Sequence, residues 1–195
     1  MDEPLGHAIG NSLEIIECVE TLKGRGPAEL TAVVRRLAAR MVTLGGVADD
    51  RSAPLRVDEA LSSGQALTRF AELIESQGGD PRIIDDYARL PSAPSRAAVT
   101  APRAGYVIAM RAEALGVASN HLGAGRSRVG DPVDHAVGIV TRVRVGDPVD
   151  IGDVLLDLHH RDGCGLAAAS ALCSGAVQIG DQPVPHRDHV LDEVR

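Results

Sequence analysis

Apolar residues recur at helical spacing through about the first ninety positions and at strand spacing beyond them. Pro4, Gly6 and Gly10 break the opening into an irregular loop. Asn11 is positioned to cap a helix, with Glu14 three residues on as its capping-box partner. That helix carries Ile15, Ile16, Val19 and Leu22 and stops at Gly24. Pro27 suits the first turn of a second helix, in which Leu30, Val33, Val34, Leu37, Ala38, Met41 and Leu44 form one broad face expected to be buried. A short helix over Val57 to Leu61, another carrying Leu67, Phe70, Leu73 and Ile74, and a last turn from Asp80-Pro81 through Tyr87 complete this half. Leu90-Pro-Ser-Ala-Pro-Ser95 marks a boundary.

Beyond it, Ala98 to Thr100, Gly105 to Ile108, Val137 to Val145 and Val154 to Leu158 read as strands. Glu113 to Leu122 and the Ala-rich run from Cys164 to Cys173 read as helices, and Val177 to Arg195 as a loose tail. Gly130-Asp-Pro-Val-Asp134 returns as Gly146-Asp-Pro-Val-Asp150, turn chemistry suited to joining strands. The pattern predicts an α/β (α+β) chain: a helical part over 1–90, a linker over 91–96, a β-rich domain over 97–175 and a tail over 176–195.

Composition narrows the function. Aromatic residues are only 2%, namely Phe70, Tyr87 and Tyr106, so the core is aliphatic and stacking platforms for single-stranded nucleic acid are excluded. A net charge of −7 opposes binding along a phosphate backbone. Cys18, Cys164 and Cys173 follow no metal-ligand spacing, which suits a reducing, cytoplasmic setting. No signal peptide opens the sequence, and no apolar run reaches the ~20 residues that span a bilayer.

Three stretches invite chemistry. The opening loop, glycine-rich and feeding a capped helix, is of the kind that turns backbone groups toward an ion or ligand; on local grounds it is equally a turn entering an amphipathic helix. His159-His-Arg-Asp-Gly-Cys164 suggests zinc, but without ordered ligand spacing it reads better as a polar loop. Gly123-Ala-Gly-Arg126 could cradle a phosphate; a helix C-cap accounts for it better.

The run from Met1 to Glu17 resembles a segment of the thymidine and pyrimidine-nucleoside phosphorylases. Further matches follow in the same order: Thr21-Leu-Lys-Gly-Arg-Gly-Pro27, Ser76-Gln-Gly-Gly-Asp80, Leu122-Gly-Ala-Gly-Arg126, Ala136-Val-Gly138 and Val145-Gly-Asp147. In that family the first motif lies mid-chain, so the resemblance is to the C-terminal half. No counterpart of the K-H-S-T-G-G phosphate segment, or of the later Arg, Ser and Lys that hold the base, is found. The resemblance implies a C-terminal domain of barrel-sandwich-hybrid shape, and Gly146 to Leu156 is similar to the hammerhead turn of biotinyl and lipoyl domains.

It further implies reversible phosphorolysis of pyrimidine nucleosides, with phosphate as co-substrate, and a homodimer formed through the missing part. It implies a potassium ion held partly by the carbonyls of Leu5 and Ala8 and the carboxylate of Glu17. His160, Arg161 and Gly163 correspond to a loop that orders on domain closure. No catalytic residue falls in this sequence, and the 195 residues alone are expected to be inactive. Two rivals remain. A biotinyl- or lipoyl-like carrier needs an exposed lysine, and Lys23, the only one, falls at a helix end. A degenerate relative would act as a regulatory or assembly module.

Overall fold

The computed structural model describes residues 2–126, 128–185 and 189–192. It divides into two compact units, residues 2–15 with 90–185 and residues 16–89 with 189–192. The division at Leu90 falls within the Pro/Ser-rich stretch, but the opening segment joins the β-rich unit rather than the helices that follow it. The cause is a strand pairing between positions far apart in sequence.

The first unit holds two antiparallel sheets. One has the order β1 (Ala8–Ile9), β4 (Gly138–Thr141), β6 (Val154–His160), β2 (Ser95–Thr100). The other runs β5 (Pro148–Val149), β3 (Gly105–Met110), β7 (Val177–Gly180). Among the described residues neither sheet closes into a barrel. Two helices, α5 (Ala112–Leu122) and α6 (Leu166–Ala176), pack on each other and share the core with both sheets. Leu115, Ile139, Leu156, Leu158, Val107 and Val137 are fully buried there, so the centre is aliphatic, as a sequence without tryptophan requires.

Several strands outrun their apolar pattern. β2 starts at Ser95, and β6 continues through His159 and His160, where the register pairs His159 with Arg96 and His160 with Ser95. The supposed tail begins with β7, paired to β3 through Val107↔Ile179 and Met110↔Val177. Residues 186–188 and 193–195 of that tail, and Met1 of the opening motif, lie outside the described residues.

The repeated Gly-Asp-Pro-Val-Asp segments build the same turn. Asp131 and Asp147 each accept, at 2.7 and 2.8 Å, from the backbone N–H of the arginine three residues earlier, Arg128 and Arg144. A third turn, Asp150 to Asp153, does the same, Asp150 N–H donating to Asp153 at 2.8 Å.

The second unit consists of most of α1 (Asn11–Leu22), then α2 (Ala28–Leu44), α3 (Ala53–Ser62), α4 (Gln65–Ser76) and two 3-10 turns at Pro81–Ile84 and Tyr87–Arg89. Its buried apolar residues are few: Val19, Ala53, Val57 and Ile83. The broad face of α2, expected to be buried, is not. No residue of α2 is buried, and Leu37, Met41 and Leu44 are largely exposed. The periodicity identifies an apolar face, of which Leu30, Val33 and Ala38 are half-buried while Leu37, Met41 and Leu44 stay exposed.

Candidate functional site

The opening loop is fixed from both sides of the sequence. Ala8 pairs with Val140 and Ile9 with Ile139, making β1 the edge strand of its sheet. At the end of β1 the backbone of Gly10 crosses that of Gly138. A Cβ on Gly10 would stand 2.7 Å from the Val137 carbonyl oxygen, and one on Gly138 only 2.3 Å from that of Ile9. Two glycines are therefore required for the crossing, which explains why Ala136-Val-Gly138 accompanies the opening motif.

His7 locks the loop further. Its Nε2 lies 2.8 Å from an Arg144 guanidinium nitrogen, and its Nδ1 lies 3.1 Å from Thr141 Oγ1. A guanidinium only donates, so Nε2 accepts and the proton sits on Nδ1, which donates to Thr141. The Thr141 backbone N–H returns to the His7 carbonyl at 2.9 Å. Sequence reasoning passed over His7 because its partners lie 134 and 137 positions away.

The start of α1 departs from the expected cap. Gly10, not Asn11, precedes the helix, and the Gly10 N–H donates to Glu14 Oε1 at 2.8 Å. Asn11 instead reaches across the unit: its Nδ2 donates to the Ala124 carbonyl at 2.9 Å. Ser12, buried, donates its N–H to the His135 carbonyl at 3.1 Å. The Gly123 segment is thus a helix end and an anchor. Gly123 caps α5 by donating to the Asn120 carbonyl at 3.0 Å, and Arg126 Nε donates to the Asp131 carbonyl at 3.1 Å.

Leu5 and Ala8 lie in this segment, within the first unit, and Glu17 in the part of α1 that belongs to the second. The His7 carbonyl accepts from β4, and that of Ile9 lies 3.4 Å from Ser119 Oγ of α5. Successive carbonyls of a strand point to opposite edges, so the Ala8 carbonyl turns to the outer edge of β1. An oxygen donor at a glycine-rich edge suits a hard cation. The Glu17 carbonyl accepts from Thr21 Oγ1 at 2.8 Å. Among the described residues no group of three or more His, Cys, Asp and Glu side chains is arranged to hold a metal.

The loop after β6 is built rather than open. His160 is buried, and its Nδ1 accepts from the Gly163 N–H at 3.1 Å. Arg161 Nε donates to Asp134 Oδ2 at 2.7 Å, and this hydrogen bond holds the Asp134 carboxyl below the usual carboxylate range. Asp162 adopts a left-handed backbone, φ 51°. Asp134 is the last residue of the first Gly-Asp-Pro-Val-Asp copy, and its backbone N–H donates to the Gly123 carbonyl at 2.9 Å. The loop is therefore tied to the same corner that receives Asn11 and Ser12. His159, also buried, has no hydrogen-bond partner for Nε2 among the described residues, and burial pushes its imidazole below its ordinary value.

Lys23 does not project as an attachment lysine would. Its ammonium donates to the Ile84 carbonyl and stands 5.3 Å from the Tyr87 ring centre. Tyr87 in turn donates to Glu20, which Arg25 clasps at 2.7 and 2.8 Å. A groove of about 560 Å³ runs between α2 and α3, with Arg35 across it bonded to Asp58 at 2.6 Å.

Within the two-sheet unit, residues 106–180 match the family described as Pyrimidine nucleoside phosphorylase C-terminal domain. The curated relatives that match include the pyrimidine-nucleoside phosphorylases of Staphylococcus aureus strains USA300 and bovine RF122 / ET3-1, each 44% identical over 160 residues. The chain belongs to the pyrimidine-nucleoside phosphorylase family through this C-terminal region. The match covers 82% of this chain and 37% of the length of each relative. Among the described residues no helix is long and apolar enough to cross a membrane.

Proposed function

We propose that these residues are the C-terminal portion of a cytoplasmic, homodimeric pyrimidine-nucleoside phosphorylase. The reaction is the reversible phosphorolysis of pyrimidine nucleosides, thymidine or uridine, to free base and pentose 1-phosphate. The observation that carries this reading is the joining of the opening motif to the matched domain, through β1–β4 pairing and the Gly10–Gly138 crossing, in one folded unit. Such chemistry needs a cationic cradle for phosphate and donors to the departing base. The motifs that supply them in the family have no counterpart in this sequence, so no catalytic role is assigned here.

The portion present contributes structure to the site. Leu5 and Ala8 offer carbonyls, and Glu17 a carboxylate, as part of a potassium site, and the ion when bound would balance the Glu17 charge. His160, Arg161 and Gly163 form the loop that faces the cleft on closure. The engaged position of Lys23 speaks against the carrier alternative. The test is a chimera in which this sequence replaces the matched region of the S. aureus enzyme. Thymidine or uridine phosphorolysis is expected, with potassium dependence that Glu17→Ala weakens. A folded chimera without phosphorolysis would overturn the reading, and an unchanged potassium response in Glu17→Ala would remove Glu17 from the site.

A further inference from the structure

His159 is a buried imidazole that the fold leaves without a partner. The residue is 6% exposed, and its Nε2 makes no hydrogen bond among the described residues. Buried polar groups are nearly always paired, so an orphaned one calls for a reason. The sheet register supplies it. Residues directly opposite each other in an antiparallel sheet share a face, and His159 stands opposite Arg96 of β2 and Gly138 of β4. On the β4 side no side chain can stand, because the crossing with the opening strand admits only glycine at 138. The side chain nearest to that position is Leu13 of α1, which is apolar. On β6 itself the next residue of the same face, Asp157, is held by Arg142, whose Nε donates to it at 2.6 Å. His160 turns to the other face and accepts from the Gly163 N–H. The charged groups around His159 are thus Arg96, Arg142 and Asp157, two cations against one anion.

We propose that His159 is a pH-sensitive fastening: a proton on its imidazole sets a cation opposite Arg96 and parts the start of β2 from the end of β6. Like charges directly opposite on paired strands repel. Arg96–His159 and Ser95–His160 are the last pairs of that ladder, where strands open most readily. Two contacts confine the opening. Arg161 keeps the loop after β6 tied to Asp134, whose carboxyl, held below the usual carboxylate range, stays charged on mild acidification. Beyond the other end of β2, the Ala101 N–H donates to the Asp153 carbonyl at 2.8 Å. The segment released is therefore the start of β2, where the chain arrives from residues 91–94. Burial first, and then the Arg96 charge, holds the His159 imidazole below its ordinary value of 6.5. The closed pairing is thus fully favoured above 6.5 and is lost as pH falls from 6.5 through that lower value.

The test follows amide hydrogen exchange and the imidazole resonances of the 195-residue protein by NMR from about pH 7.5 to about pH 5, with exchange rates corrected for their intrinsic pH dependence. Each pH unit over which only the open form takes the proton is worth tenfold, so protection of the ladder amides within 95–97 should fall at least ~5-fold, while that of Ala101 stays within ~2-fold. The His159 resonance should titrate below 6.5. His159→Phe keeps a buried ring without a proton site and should abolish the fall. Arg96→Glu sets a carboxylate opposite the imidazole; it should raise the His159 titration above its parental value and shrink the fall to about half or less. Arg96 is exposed, so this variant folds and decides the matter even where His159→Phe does not. Protection at 95–97 that ignores pH, an equal fall in His159→Phe, or a His159 resonance titrating at or above 6.5 in the parent would overturn the proposal. An Arg96→Glu protein with the parental fall and titration would overturn it as well. None of these outcomes bears on the proposed reaction, which the chimera tests separately.

Discussion

Gly138→Ala probes the crossing on which the site is built. The new Cβ would lie 2.3 Å from the Ile9 carbonyl oxygen, 3.0 Å from Leu13 Cδ1 and 3.1 Å from Gly10 Cα, at a backbone φ of 156°. Leu13 can rotate away, but the two nearest backbone groups, Ile9 and Gly10, cannot, so β1 must separate from β4. Overpacking a tight site costs about 1–3 kcal/mol, and a disfavoured backbone conformation a similar amount, so about 2–5 kcal/mol is expected. For a chain of this size that corresponds to a fall in Tm of about 5–15 °C. Thermal unfolding followed by circular dichroism reads the loss, and hydrogen exchange locates it. The Thr141 amide, bonded to the His7 carbonyl, should lose protection, while that of Ala169 in α6 keeps it. Gly10→Ala meets the same crossing, at 2.7 Å from the Val137 carbonyl oxygen. Once one Cβ has forced the strands apart the second costs less, so the double variant should fall short of the sum of the singles. A Gly138→Ala protein melting within about 1 °C of the parent, or strictly additive singles, would refute the crossing.

Other consequences follow from the same structure. The Arg25 hydrogen bond, with a second from Tyr87, lowers the Glu20 carboxyl from 4.5 to about 2. Its stabilisation is complete above pH 4.5 and lost as pH falls through about 2, so Glu20→Gln should flatten the acid side of a stability–pH curve measured by urea melts. Burial pushes the Cys173 thiol up to about 11, whereas Cys164 is exposed; a thiol-reactive disulfide reagent should label Cys164 first and reach Cys173 only on unfolding. Asp134→Ala should cost about 1 kcal/mol or less through the exposed Arg161 pair, yet raise protease cleavage within 160–165. Equal cleavage rates in parent and variant would show that the pair does not hold the loop.

Much of the fold can be read from local pattern. Helix positions α1 to α6, and strands β2, β3, β4 and β6, show their periodicity within a few residues, because burial of one face leaves a mark at every third or second position. What escaped is non-local. β1 is two residues long, and only its pairing with Ile139 and Val140 makes it a strand. β7 offers four residues, Val-Gln-Ile-Gly, too few to separate from a turn. Asn11 has the chemistry of a cap but serves a carbonyl 113 positions away. The apolar face of α2 was legible as a face, yet its pattern names no occupant. At the candidate site, the carbonyls and Glu17 come from the family resemblance alone. His7 and Asp134 emerge only when distant segments meet.

The central claim is that these residues furnish one part of a phosphorylase and none of its transition-state cradle. Loss of a single well-placed electrostatic donor typically costs about 100- to 1,000-fold in rate, and on the proposed reading all of the family's donors lie outside these residues. The most direct measurement is thymidine and uridine phosphorolysis by the purified 195-residue protein, alone and mixed with the separately expressed N-terminal region of the S. aureus enzyme. No activity alone and activity in the mixture is the expected result. Phosphorolysis by the 195-residue protein alone would contradict the account, because the catalytic groups would then lie within this sequence.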